Sequence, residues 1–203
     1  LGSLSGKTVA VQGLGHVGEP LVGFLHEKGV RRIVGSDIDP DREQALRGLY
    51  PRLDLEVHVV ERGDCSIFSA QADVLSPNAT GAILNARTIP TIAAKIVCGA
   101  ANNQLEDPLR DDRLLQERGI LYLPDFLVNR MGIVNCADEQ SGSVEADPAF
   151  ERHLDAEWDN GIYRLALQVL DEAQRTGRTP QQVAVELADR RSFEPHPLWG
   201  HRG

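Results

Sequence analysis

The sequence predicts an α/β chain built on a doubly wound parallel sheet, with additional helices at its C-terminal end. Three features carry that expectation. Short apolar segments closed by Gly or Pro alternate with polar, helix-like stretches between Lys7 and Pro124, the pattern of parallel strands covered on both faces. A turn with glycines at spacing Gly-x-Gly-x-x-Gly, from Gly13 to Gly18, joins the first apolar segment to the first helical one. Past Gly142 only helical periodicity remains.

Lys7 to Gln12 is β-branched and apolar enough for a buried first strand. In the turn that follows, Gly13 permits the tight bend. Gly15 removes a Cβ that would stand between the backbone and a pyrophosphate, and Gly18 lets the helix pack close to the strand. The helix N-terminus then offers N–H groups and a partial positive charge to phosphates. Leu21, Val22, Leu25 and His26 fall on one helical face, and Gly29 stops the helix. A second strand, Ile33 to Ser36, delivers Asp37 19 residues after Gly18, where a carboxylate can accept both hydroxyls of an adenosine ribose. This is a dinucleotide-binding βαβ pattern. Asp37, Asp39 and Asp41 would repel a ribose 2′-phosphate, so NAD is expected rather than NADP. Arg42 is the contrary signal, read as a solvated residue of a helix that Pro40 opens.

Glu56 to Val60 alternates as a short strand, Ala72 to Pro77 reads as a buried one, and Ala94 to Gly99 and Gly119 to Pro124 complete the sheet. Ligands of such sheets sit beyond the carboxyl ends of the strands, which directs attention to Asn78 to Gly81, Ala100 to Gln104 and Phe126 to Asn129. Further on, Ile162, Leu165, Ala166, Val169, Leu170 and Ala173 form an apolar helical stripe. Thr179, Pro180 and Gln182 match a capping box that opens a last helix with Val183, Leu187 and Ala188 on one face. The expected organisation is a dinucleotide-binding domain over 1–142, helices packed on it over 143–190, and a solvated tail over 191–203.

With 203 residues and 41% hydrophobic content the chain can bury a sizeable core. Its net charge of −9, without any run of Lys or Arg, argues against a nucleic-acid backbone as partner. Cys65, Cys98 and Cys136 are far apart, with no Cys-x-x-Cys and no His at zinc spacing. They read as reduced core thiols of a cytoplasmic protein with no metal site. No apolar run approaches the roughly 20 residues that cross a bilayer. The chain opens on Leu1, which reads as a processed or excised piece, or as a start lying upstream.

The words from Gly6 to Gly18, Ala72 to Asn85, Ala101-Asn102-Asn103-Gln104-Leu105 and Pro124 to Glu139 resemble the nucleotide-binding half of the glutamate, leucine, phenylalanine and valine dehydrogenases, most of all the leucine and phenylalanine branch. The resemblance runs over roughly residues 4 to 190. It implies a Rossmann-type NAD-binding domain from an enzyme that oxidatively deaminates an L-amino acid to a 2-oxo acid and ammonia. It places Gly13, Leu14, Gly15, His16, Val17 and Gly18 at the pyrophosphate and Asp37 at the adenosine ribose. Pro77, Asn78 and Ala79 then lie beside the nicotinamide ribose, and Asn102 reaches the nicotinamide and the amino-acid head of the substrate. Ile133 and Cys136 match positions of the side-chain pocket and imply an apolar substrate; ordinary core is their other reading.

The family often has Cys where Asn78 stands, Asn where His16 stands and Ala-Gly where Arg130-Met131 stand. His16 reads as a surface residue at the helix start rather than a catalytic group. Arg130 could meet an acidic substrate group or a partner domain, or be an exposed turn residue. The family's catalytic lysines and aspartate belong to a preceding domain, for which there is no room before the first strand. No catalytic residue is therefore expected in this chain, and it is expected to bind NAD without deaminating amino acids by itself. The expected partners are NAD(H), the amino acid and 2-oxo acid of the full enzyme, and a second copy or a separate catalytic domain. The alternative is a free-standing NAD-binding module with a sensing or subunit role.

Overall fold

A computed structural model describes residues 2–140, 142 and 148–193. Six apolar segments form strands: β1 (Thr8–Gln12), β2 (Arg32–Asp37), β3 (Asp54–Val59), β4 (Val74–Pro77), β5 (Ile96–Val97) and β6 (Leu121–Tyr122). All pair in parallel, in the order β3-β2-β1-β4-β5-β6. β1 is buried along its whole length, and Gln12 lies opposite Ser36 on one side and Pro77 on the other. The strand order reverses beside β1, which opens a crevice at the carboxyl ends there.

Alternation along β1 splits the core in two. Val9 and Val11 face Val22 and Leu25 of α1 (Gly18–Glu27) and Leu46 of α2 (Arg42–Leu49). Ala10, with Leu75, Val97 and Tyr122, faces the other way onto Phe68, Ile89 and Leu115, the last from α3 (Asp111–Glu117). The face expected for α1 holds at Val22 and Leu25, whereas His26 points outward and tilts against the Tyr50 ring, 5.6 Å away.

Two expected coverings are thinner than the sequence pattern suggests. Between β3 and β4, and again between β4 and β5, single 3₁₀ turns at Ser66–Ser69 and Ile89–Thr91 replace helices. Around the second turn, Pro90 removes a donor and the Asn85 side chain accepts from the N–H groups of Arg87 and Thr88 at 3.0 and 3.2 Å, closing the turn locally. β5 and β6 are two residues each because the chain leaves the ladder at once. At Gly99 the backbone lies so near Pro77 that a Cβ would fall 2.3 Å from the Pro77 carbonyl oxygen.

The chain divides into two compact units, Leu1–Asp125 and Phe126–Gly203, so the division precedes the change of character at Gly142. α4 (Asp125–Val128) carries the chain from one unit to the other. It is followed by α5 (Met131–Gln140), α6 (Pro148–Glu151), α7 (Ile162–Thr176) and α8 (Pro180–Ser192). Within the second unit Leu127, Leu165, Val169 and Ala173 pack on Val183, Ala184 and Leu187. Gly177 ends α7 in the left-handed region at φ 71°. The expected capping box is formed: the Gln182 N–H donates to Thr179 Oγ1 and the Thr179 N–H to Gln182 Oε1, both at 3.3 Å. The tail beyond Phe193, and residues 143–147, lie outside the described residues. No helix among the described residues is long and apolar enough to cross a membrane.

Thr179→Ala removes that cap from a nearly fully buried site and should cost about 1 kcal/mol, read as a lower melting temperature. A second outcome concerns pH. Burial pushes the Cys98 thiol up to about 11, whereas an exposed thiol titrates near ~8.5. The unfolded chain therefore loses its proton first, and the stability from this group is lost as pH rises from about 8.5 towards 11. Denaturant titrations at pH 8 and pH 10 should show Cys98→Ala losing less stability over that interval than the unsubstituted chain.

Candidate functional site

Beyond the ends of β1, β2 and β3 a cleft of about 260 Å³ is lined by Gln12, Gly13, Gly15, Asp37, Arg62 and Asn78, with their neighbours. Its floor is the glycine turn. Gly13 sits at φ 83°, and a Cβ on it would lie 2.8 Å from the Ala79 Cβ. Its N–H donates to the Ser36 carbonyl at 2.8 Å. Leu14 is fully buried over Gly35, where a Cβ would meet Leu14 Cδ1 at 2.7 Å. The Leu14 N–H is spent on Asp37 Oδ2 at 2.6 Å, while Asp37 Oδ1 accepts from the Asp39 N–H at 2.9 Å. Gly15 faces open space. At Gly18 a Cβ would lie 1.9 Å from the Gly13 carbonyl oxygen and 3.8 Å from Val11 Cγ1, so the close approach is first to the turn itself and only then to the strand.

α1 begins with no side-chain cap at Val17. Among the described residues no hydrogen bond is donated by the N–H groups of Gly15, His16, Val17 or Gly18. Unspent donors at the positive end of a ten-residue helix, beside the cleft, form a site for an anion.

Arg42 is not the solvated residue expected. Its guanidinium donates to Glu19 Oε2 at 2.8 Å and to Asp39 Oδ2 at 2.9 Å. Partial burial works against its charge, but Glu19, Asp39 and Asp37 outweigh that and raise its pKa. The second wall of the cleft is Val60 to Asp64, the loop after β3, which sequence reasoning passed over. The rule that ligands sit at carboxyl ends applies to β3 as much as to β4. In this wall Arg62 is exposed and forms no ion pair among the described residues.

Asn78 ties three segments together. Its N–H donates to the Gln12 carbonyl at 2.7 Å, its Nδ2 to the Ser76 carbonyl at 2.9 Å, and its Oδ1 accepts from the Ala100 N–H at 3.1 Å. Asn102 does not line the cleft; it is exposed on the neighbouring loop of the same sheet edge. Gln104, also missed, fixes that loop from below. Fully buried, it donates from Nε2 to the carbonyls of Gly99 and Ala101 at 2.7 and 2.9 Å, and its N–H donates to Asp125 Oδ2 at 2.6 Å.

A family profile described as Glutamate/Leucine/Phenylalanine/Valine dehydrogenase matches residues 44–196. The chain belongs to that family. It is 39% identical over 188 residues to the L-tryptophan dehydrogenase of Nostoc punctiforme, covering 93% of this chain and 49% of that protein. With the leucine dehydrogenase of Thermoactinomyces intermedius the figures are 36% over 189 residues, 93% and 47%. The crystal structure of the Nostoc punctiforme enzyme matches with a TM-score of 0.79 at 36% identity, over 93% of this chain and 52% of that one. The chain therefore spans about half the length of the curated relatives it matches.

In this member of the dehydrogenase family Ile133 and Cys136 are both exposed on α5, one turn apart and so on one face. The core reading of both is thereby set aside, and Cys136 is not the buried thiol expected; Cys65 and Cys98 are half-buried. Arg130 is half-buried too, its Nη2 donating to the Asn160 carbonyl at 2.6 Å, so it is not an exposed turn residue.

The two helix-start glycines should respond differently to alanine. Gly18→Ala forces the turn to move and should cost about 1–3 kcal/mol, whereas Gly15→Ala, with nothing within 4 Å, should stay within about 1 kcal/mol. Equal losses in thermal melts would contradict this packing.

Proposed function

We propose that the chain is the cofactor-binding part of an NAD-dependent amino-acid dehydrogenase that oxidatively deaminates an L-amino acid with an apolar side chain. The observation that carries the reading is the cleft itself, with unspent helix-start donors on one side and the Asp37 carboxylate on the other. NAD held there would supply the hydride acceptor for the substrate's α-carbon. The chain's own groups bind and orient. The N–H groups of Gly15, His16, Val17 and Gly18 face the diphosphate. Each Asp37 oxygen keeps a lone pair beyond its one backbone bond, so both ribose hydroxyls can still be accepted. Exposed Ile38 and the adjoining Val60 offer apolar contact to the adenine. Pro77, Asn78 and Ala79 take the nicotinamide ribose, Asn102 the nicotinamide and the amino-acid head, and Ile133 and Cys136 the substrate side chain.

NAD is favoured over NADP because Arg42, the first cation after the acid at the β2 tip, is already held by Glu19 and Asp39. A specific observation supports the opposite preference: Arg62 borders the same cleft without an ion-pair partner among the described residues. No catalytic acid or base is assigned to this chain. Such groups contribute roughly 10²–10⁴-fold each, so the 203-residue chain is proposed to bind cofactor without appreciable turnover.

Titration calorimetry with NADH and NADPH tests both points. NADH should bind at least about tenfold more tightly than NADPH, and Asp37→Ala should weaken NADH by about tenfold or more, the equivalent of one charged hydrogen bond. An inverted preference that Arg62→Ala abolishes would assign NADP instead. Turnover of L-leucine, L-phenylalanine or L-tryptophan with NAD by the chain alone would overturn the division of labour.

A further inference from the structure

In the helical unit two arginines converge where, among the described residues, no acid pairs with them. Arg130 Nη2 donates to the Asn160 carbonyl at 2.6 Å, and Arg191 Nη1 donates to the Oδ1 of the same residue. Neither guanidinium forms an ion pair among the described residues. The Arg130 Nε is shielded from solvent and has no hydrogen-bond partner there. Burial first, and then the charge of Arg191, push the Arg130 pKa down from its ordinary value. Asn160 is itself placed by a tight bend: the Gly161 N–H donates to the Trp158 carbonyl at 2.8 Å, and a Cβ at Gly161 would lie 2.3 Å from the Asp155 carbonyl oxygen.

Both arginines border a cavity of about 170 Å³ whose other walls include Phe126, Leu127, Leu165, Val169 and Leu187. Two like charges held on one asparagine beside apolar walls repel each other, and the unused Nε is an unmet donor. An anion beside the two guanidinium groups relieves the repulsion. A carboxylate suits guanidinium best, since its two oxygens accept paired N–H bonds. The walls add the requirement of an apolar body, and a cavity below the roughly 300 Å³ of a drug-sized site limits that body to a small one.

We propose that this pocket binds a small monocarboxylate with an aliphatic or aromatic body, its carboxylate on Arg130 and Arg191. An L-amino acid is disfavoured, because its α-ammonium would sit beside two guanidinium groups; a 2-oxo acid or a simple carboxylic acid lacks that charge. The pocket lies wholly within the helical unit and requires no dinucleotide, so it stands independently of the cofactor reading.

The test is titration of the full 203-residue chain with 4-methylpentanoate, 3-phenylpropanoate and 4-methyl-2-oxopentanoate, followed by calorimetry or amide chemical shifts, with 4-methylpentanamide and L-leucine as controls. The acids should bind saturably at millimolar concentration or below, and the amide and L-leucine at least about tenfold more weakly. Arg130→Ala and Arg191→Ala should each weaken the acids about tenfold or more, with Arg191→Lys retaining part of the affinity. Should Arg130→Ala fail to fold, Arg191→Gln at the end of α8 carries the test. The proposal is overturned if the amide binds as well as the acid, if the folded arginine variants bind like the unsubstituted chain, or if no acid saturates below 10 mM. It is equally overturned if Glu194→Gln binds acids that the unsubstituted chain does not, which would assign the pocket to the chain's own tail.

Discussion

One hydrogen bond fixes the cleft end of this fold: the Leu14 N–H on Asp37 Oδ2. It ties the turn after β1 to the tip of β2, next to the bond from the Gly13 N–H to the Ser36 carbonyl. A charged acceptor makes such a bond worth about 1.5–3 kcal/mol. With the turn so pinned, Leu14 drops into the core over Gly35, and Gly13 turns its left-handed backbone against Ala79. Gly18 then presses on the Gly13 carbonyl, and the helix with its unspent donors starts just after Gly15, which lines the cleft. The residue expected to hold a ribose is thus also the residue that shapes the glycine turn.

Rules of local spacing made much of this visible in the sequence. The glycine turn and the Thr179-Gln182 box follow from residues within a few positions of one another, and the acid at the second strand's end and the parallel sheet from the alternation of apolar and helix-like segments. Part of what stayed hidden depends on neighbours distant along the chain. Arg42 read as solvated because Glu19, its principal partner, comes from another helix. The second 3₁₀ turn read as a helix because its polar composition says nothing about Asn85 closing on its own backbone. Gln104 and Asp125 meet 21 positions apart and left no periodic signal. Ile133 and Cys136 are apolar by type yet exposed, and composition alone could not separate them from core.

Three arginines show how far context outweighs residue type. Arg42 is held by two carboxylates and acts as a tie between α1 and the β2 tip. Arg62 stands exposed at the edge of the cleft. Arg130 is half-buried against a backbone carbonyl with a second arginine for company. A net charge of −9 describes none of these environments, and each has a different chemical use.

The lengths of the strands differ across the sheet. β2 and β3 pair over six residues, whereas β4, β5 and β6 are stitched by two aligned pairs at each junction. Amide protons on the β5–β6 side are therefore shielded by a short ladder, and exchange with solvent begins at that margin. The Asn102 loop grows from this easily opened half, while the Asp37 corner grows from the well-stitched half. A nucleotide lying along the edge would have one end clamped by a stiff frame and the other carried on a yielding one.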